Sequence, residues 1–159
     1  MRAVRISIVY FSMLAALLCQ LLPWADFGQQ IRPDFLLLVV IYWLLRTPHL
    51  CNIGTAWFAG LVIDLASGGL FGQHALAYAI TAFFAVRYQR RLALFNIWQQ
   101  TAYVFALLLF TQVIVLILKL FSGGDLPGWT YFLPSVSGIL LWQILIFSRI
   151  GIEAPPHKN

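Results

Sequence analysis

The chain has few charged residues. Asp, Glu, Lys and Arg make up 9% of its 159 residues, whereas 62% are hydrophobic and the mean hydropathy is +0.87. A chain with so little polar surface cannot fold as a soluble domain, so we expect an integral membrane protein. Because one span takes about 20 residues, the length allows about six spans and leaves no room for a separate soluble domain.

Residues that carry catalysis or bind metals are also scarce. The chain has two cysteines, Cys19 and Cys51, and three histidines, at spacings that match no zinc site. We expect no disulfide, since Cys19 lies in an apolar segment and Cys51 in a predicted cytoplasmic loop. Asp64 is the only acid within an apolar segment, which excludes a pair of intramembrane acids. The sequence therefore predicts no catalytic site, no metal and no cofactor.

Apolar segments make up most of the remaining chain. There are six, at residues 6–22, 35–45, 53–65, 70–86, 98–118 and 129–147, followed by a short polar tail at 151–159. The second and third are short, so they need polar flanks, a thinned bilayer or a partly re-entrant path. Together the segments predict an all-α integral membrane protein, a single compact bundle of about six transmembrane helices.

The basic residues are distributed unevenly between the two sides of such a bundle. With the N-terminus in the cytoplasm, eight of the ten Lys and Arg residues lie inside, and only Arg32 and Lys119 lie outside. Since cytoplasmic loops carry the excess of Lys and Arg, both termini are predicted to be cytoplasmic. The net charge of +5 has the same origin, because the basic residues form no stripe that would bind nucleic acid.

Three of the inside arginines follow the fourth segment directly. Arg87, Arg90 and Arg91 fix the orientation and meet anionic lipid, or they contact cytoplasmic partners. The sequence alone leaves both interpretations open.

Residues 56–91 predict a membrane hairpin with small residues on both arms. Ala56, Gly60 and Asp64 recur every fourth residue and therefore share one face of a helix. The facing stripe on the second arm is Ala75, Ala79 and Ala82. Small residues on both faces allow the two helix backbones to approach closely. The turn between the arms contains Gly68, Gly69 and Gly72.

Asp64 is the costly residue of this hairpin. A carboxylate in hydrocarbon costs about 2.5 to 3.5 kcal/mol on insertion scales, so it needs solvent, a partner or a function. Polar partners close along the chain are Ser67, Gln73 and His74. Two interpretations stay open: Asp64 caps or pins the glycine turn, or it binds a ligand or partner directly.

The first segment has a small, polar face of its own. Ser12, Ala16 and Gln20 lie four residues apart, so they share one face of a helix. This face either packs inside the bundle or seats a transmembrane helix of another protein.

Three stretches of the chain are informative together: RPDFLLLVVIYWLL, GLVIDLASGGLFGQHALAYAITAFFAVRYQRRL and IWQQ. In these stretches the chain resembles the rod shape-determining protein MreD family of Gram-negative bacteria. The similarity runs from about Leu22 to Phe147. It is densest from Gly60 to Arg91, where the residues that match the family pattern are Gly60, Leu61, Asp64, Leu65, Gly72 and Ala75.

The resemblance implies a multi-pass inner-membrane subunit of the machinery that elongates the lateral peptidoglycan wall. It implies MreC as the direct partner, with MreB, RodZ, RodA and a penicillin-binding transpeptidase as members of the same complex, besides membrane lipid. It also implies a fold like that of the substrate-binding subunits of energy-coupling-factor transporters. The family offers no catalytic residues to carry over.

Two functions from different classes follow. The first is a non-enzymatic scaffold that binds MreC through the small-residue faces around Gly60 and Ser12. The alternative is a membrane subunit that binds a small molecule or a lipid precursor in an outward pocket. The residues expected near that pocket are Trp57, Asp64, Gln73 and His74.

Overall fold

The computed structural model describes residues 6–23, 28, 31–68, 71–92, 94–125 and 127–150, with the backbone alone at 92 and 148–150. Within these residues the chain is helical and contains no strand. The helices are α1 (Ile6–Leu21), α2 (Phe35–Arg46), α3 (Ile53–Ser67), α4 (Gln73–Leu92), α5 (Ile97–Phe121) and α6 (Leu133–Ile150). A short 3₁₀ turn, Trp129–Phe132, leads into α6.

Each helix corresponds to one apolar segment of the sequence, and the fourth differs most in its bounds. α4 begins at Gln73 instead of residue 70 and continues to Leu92, beyond the apolar run. The reason is that arginine is a good helix former, so an exposed arginine-rich end prolongs the helix. The predicted tail, 151–159, lies outside the described residues.

Among the residues that the structure describes, two stretches are long and apolar enough to cross a membrane, namely Ile97–Phe121 and Trp129–Phe147. The helices α1, α2 and α3 are apolar but shorter. With 20 residues, α4 is long enough to cross a membrane. The arginines in its last turns, however, lower its mean hydropathy.

α2 lies at the centre of the bundle. Eight of its twelve residues are buried, and it packs against α1, α3, α4 and α6. Because α2 is apolar all round, it can bury every face against its neighbours. The indole Nε1 of Trp43 donates to Ser12 Oγ at 2.8 Å, which joins α2 to α1.

Two cavities mark opposite ends of the bundle. The Arg32 cavity, about 410 Å³, lies where α2, α4 and α6 begin and α5 ends; its lining includes Arg32, Asp34, His74, Lys119 and Ser135. The Arg90 cavity, about 560 Å³, lies where α2 and α4 end and α5 begins; its lining includes Arg46, Gln89, Arg90, Gln100 and Ile146. The helices therefore alternate in direction. We call the two ends of the bundle the Arg32 end and the Arg90 end.

Candidate functional site

The closest contact between helices is that of α3 with the first turn of α4. The face of α3 that carries Ala56, Gly60 and Asp64 is buried against α4. A Cβ atom placed on Gly60 would lie 2.4 Å from the carbonyl oxygen of His74 and 2.6 Å from the Cα of Ala75. The space at Gly60 is thus filled by the backbone of α4, and no larger residue fits there.

The turn that joins the two helices depends on glycine at two positions. Gly68 follows the last residue of α3 with φ +63°, and Gly72 precedes α4 with φ +91°. Only glycine adopts such positive φ values at little steric cost, so these two residues permit the tight reversal. Gly69 lies outside the described residues.

Asp64 caps the N-terminus of α4 from the neighbouring helix. Its Oδ1 accepts from the backbone N–H of His74 at 2.9 Å, and its Oδ2 accepts from that of Ala75 at 3.1 Å. The residue before α4 is Gly72, which has no side chain that could cap the helix. A carboxylate is also favoured at this position by the positive end of the helix dipole.

The imidazole of His74 completes the coordination of this carboxylate. His74 Nδ1 lies 2.9 Å from Asp64 Oδ1, and the Asp64 side chain is fully buried. With Nδ1 engaged by the carboxylate, Nε2 is left for other partners. Asp64 is therefore held at the start of α4 by two backbone N–H groups and one imidazole nitrogen.

A second helix start, that of α2, is capped in the same way. Asp34 precedes α2 and accepts from the backbone N–H of Leu37 at 3.1 Å. From α1, Gln20 Oε1 accepts from the N–H of Leu36 at 3.1 Å. Two side chains thus occupy N–H groups that the first turn of α2 leaves without an intrahelical partner.

Tyr78 joins the two capped helix starts. Its hydroxyl lies 2.5 Å from both carboxylate oxygens of Asp34, and the side chain is fully buried. Tyr78 follows His74 by one helical turn, and the two rings meet edge to face at 6.3 Å. We call Gln20, Asp34, Asp64, His74 and Tyr78 the polar network; it connects α1, α2, α3 and α4 at the Arg32 end.

We predict that Tyr78→Phe lowers stability without abolishing the fold. The substitution leaves the ring in place but removes the donor to Asp34, and a hydrogen bond to a charged group contributes about 1.5 to 3 kcal/mol. Thermal unfolding of the purified protein in detergent measures the loss. Tyr10→Phe is the control because Tyr10 is half exposed on α1. Equal unfolding temperatures for both variants would contradict the role of Tyr78.

The comparisons with known proteins decide the family. The family described as rod shape-determining protein MreD matches residues 1–148. The chain belongs to the MreD family. Rod shape-determining protein MreD of Haemophilus influenzae is 26% identical over 153 residues, which cover 95% of this chain and 94% of that protein. The family predicted from the sequence is thereby confirmed.

No solved structure matches this MreD-family chain. The predicted likeness to the substrate-binding subunits of energy-coupling-factor transporters therefore stays a prediction. The all-helical class and the six helices are features of the described residues themselves.

The other residues selected from the sequence of this MreD-family chain are distributed between the interior and the surface. Ala75 and Ala82 are buried, whereas Ala79 is partly exposed. On α1, Ser12 is held by Trp43 and Ala16 is buried. At the Arg90 end, Arg87, Arg90 and Arg91 are exposed.

The outward pocket expected from the sequence differs from the Arg32 cavity of this MreD-family chain. Of the four residues proposed for that pocket, His74 alone is among those that line the Arg32 cavity. Gln73 donates to the backbone oxygen of Val115 at 3.3 Å, and Trp57 is about half exposed on α3. Asp64 is enclosed by the first turn of α4.

Sequence reasoning missed both Tyr78 and its pairing with Asp34. One signal was present, since Tyr78 follows His74 by four residues and shares its helix face. The pairing of Asp34 with Tyr78 gave no signal because 44 residues separate them.

Reactive groups are few in the described part of this MreD-family chain. No three His, Cys, Asp or Glu side chains there lie close enough together to hold a metal ion. Burial raises the pKa of the Cys51 thiol, in the loop between α2 and α3, to about 12, so little thiolate forms at neutral pH.

Proposed function

We propose that the protein is a non-enzymatic, multi-pass scaffold of the bacterial inner membrane. In this role it supports rod shape and lateral peptidoglycan synthesis, chiefly by binding MreC. Membership of the MreD family supports the pathway. The buried carboxylate Asp64 supports the absence of catalysis, because its oxygens are occupied by donors from α4.

The charges at the two ends support six spans with both termini in the cytoplasm. At the Arg90 end lie Arg46, Arg87, Arg90 and Arg91, while the Arg32 end has Arg32 and Lys119. By the positive-inside rule, the Arg90 end faces the cytoplasm. In this orientation Arg87 and Arg91 are available to anionic lipid or to the cytoplasmic members of the complex, MreB and RodZ.

The observation that carries partner binding is the outward face of α1. Phe11, Leu14 and Leu18 are 74%, 52% and 59% exposed and lie along one side of the helix. By contrast, the small residues Ser12 and Ala16 point into the bundle, as Gly60 does on α3. We therefore place the single helix of MreC against the Phe11 face of α1 and not against the small-residue faces.

Site-specific crosslinking in membranes tests this placement. We expect a photoreactive amino acid at Leu14 to crosslink to MreC. The matched control is Leu140, which is 65% exposed on α6. Equal crosslinking from both positions, or crosslinking from Leu140 alone, would contradict the assignment to α1. Crosslinks from Leu140 to RodA or to the transpeptidase would instead locate those members of the complex.

The alternative is a subunit that binds a small molecule or lipid precursor. The outward pocket expected for it from the sequence has little support. Three of its four pocket residues do not line the Arg32 cavity. The cavity itself nevertheless has the size of ligand sites, which are about 300 to 1,000 Å³. Depletion of the protein, followed by microscopy, tests the role in rod shape, since loss of rod shape is the expected result for the scaffold and for the binding subunit alike.

A further inference from the structure

We infer that the Arg32 cavity binds the phosphate group of an anionic ligand. This site lies apart from the outward face of α1, so it does not rest on the proposed binding of MreC. The argument depends on which charges of the cavity lining are already satisfied within the protein.

The acid of the cavity lining is committed to donors from the protein. It is Asp34, and both of its oxygens accept from the Tyr78 hydroxyl while Oδ1 also accepts from the N–H of Leu37. The Tyr78 hydroxyl, which has a single proton, and the N–H of Leu37 are thus the two protein donors to this carboxylate. Its negative charge instead serves the start of α2 and the buried Tyr78.

The two cations of the cavity lining have no such partner. Arg32 and Lys119 line the cavity from different parts of the chain, and neither forms an ion pair with a described residue. Lys119 Nζ lies 5.5 Å from the centre of the Tyr131 ring, which is a cation–π contact and leaves its charge uncompensated. The cavity is therefore positive in charge.

His74 adds a third polar group to the cavity lining. Its Nδ1 is fixed by Asp64, while the side chain lines the cavity and is 25% exposed. With Nδ1 occupied, Nε2 is the nitrogen left for a ligand. The contact between Nδ1 and Asp64 thus fixes the orientation of the His74 ring, as supporting contacts do in other binding sites.

Size and position favour a phosphate group on a larger molecule over a bare ion. A volume of about 410 Å³ exceeds what a single ion needs, and Leu37, Leu108 and Val115 provide an apolar wall. The cavity lies at the helix ends, which is the level of lipid headgroups in a bilayer. Arginine and lysine are the side chains that most often bind phosphate. The ligand is a lipid headgroup phosphate or a soluble organic phosphate.

Native mass spectrometry of the full-length protein in detergent tests the site. The lipid probes are dioleoylphosphatidylglycerol and, as the phosphate-free control, dioleoylglycerol. The soluble probes are glycerol 1-phosphate and glycerol. We expect retention of one phosphate-bearing probe, with the lipid and soluble arms identifying the source, and no retention of the phosphate-free molecules. The proposal would be overturned if neither of the two phosphate-bearing probes were retained.

A pair of charge variants separates the cavity from general attraction to anions. Arg32→Gln with Lys119→Gln removes two cavity cations, whereas Arg87→Gln with Arg91→Gln removes two exposed cations at the opposite end. Because each lost charge-assisted hydrogen bond weakens binding about tenfold, the first pair should bind at least tenfold more weakly than the second. Equal retention by both pairs would refute the site.

Folding of the charge variants is checked independently. Lys119 is exposed and Arg32 is partly exposed, so their substitution should leave the thermal unfolding temperature without ligand unchanged. In the wild type, the retained probe should raise that temperature, and the rise should be absent in Arg32→Gln with Lys119→Gln. A rise of the same size in this variant would contradict binding by the two cations.

Discussion

Gly60→Ala is expected to abolish most of the folded protein. A single methyl group at this position would lie 2.4 Å from the carbonyl oxygen of His74, which is backbone and cannot rotate away. Overpacking against flexible side chains typically costs about 1 to 3 kcal/mol, and a backbone clash costs more because a whole helix has to move. The displaced segment would be the first turn of α4, so the hydrogen bonds of Asp64 would be lost as well.

The yield of monodisperse protein by size-exclusion chromatography in detergent measures this effect. Two further glycines provide a graded control. A Cβ on Gly138 would lie 2.9 Å from the Leu108 side chain, which can adjust, and one on Gly128 would meet nothing within 4 Å. The expected order of yield is Gly128→Ala, then Gly138→Ala, then Gly60→Ala. A yield of Gly60→Ala as high as that of Gly128→Ala would show that α3 and α4 are not in backbone contact.

Asp64→Ala is the second change with a large expected effect. It leaves the N–H groups of His74 and Ala75 buried without acceptors, and each unsatisfied buried donor costs about 1 to 3 kcal/mol. No side chain at Gly72 can replace the lost cap. We expect a stability loss of about 2 to 5 kcal/mol, with the fraction of folded protein in membranes reduced accordingly.

Asp64→Asn separates a capping role from a ligand-binding role. The amide keeps one acceptor oxygen but turns its NH₂ group toward N–H donors, so stability should fall by less than in Asp64→Ala. Asp125→Asn is the matched control because Asp125 is exposed in the loop after α5. If Asp64 acted on a ligand and not as a cap, Asp64→Asn would unfold at the temperature of the Asp125→Asn control.

The hairpin of α3 and α4 shows which features can be predicted from the spacing of residues in the sequence. Spacing by four residues placed Ala56, Gly60 and Asp64 on one helix face, and the structure buries this face against α4. Periodicity was sufficient because both arms are adjacent along the chain, with a short turn between them. It left open what Asp64 does, since the N–H groups that it accepts from become visible only when the start of α4 is known.

Contacts between distant segments were beyond sequence reasoning. Tyr78 and Asp34 are 44 residues apart, and Gln20 caps a helix that begins after a long connection. No local pattern encodes such pairs, because they arise when independent helices pack. For the same reason the Arg32 cavity, which combines residues from distant parts of the chain, gave no signal.

By itself the sequence determined the all-helical class, the approximate positions of the six helices, the family and the uneven distribution of charge. These properties depend on composition, on hydrophobic runs and on local spacing, all of which are written along the chain. Only the tertiary structure decided which faces are occupied internally and which remain outside. The small-residue faces around Gly60 and Ser12 pack within the bundle, whereas the Phe11 face of α1 stays exposed, because burial is a property of the assembled helices.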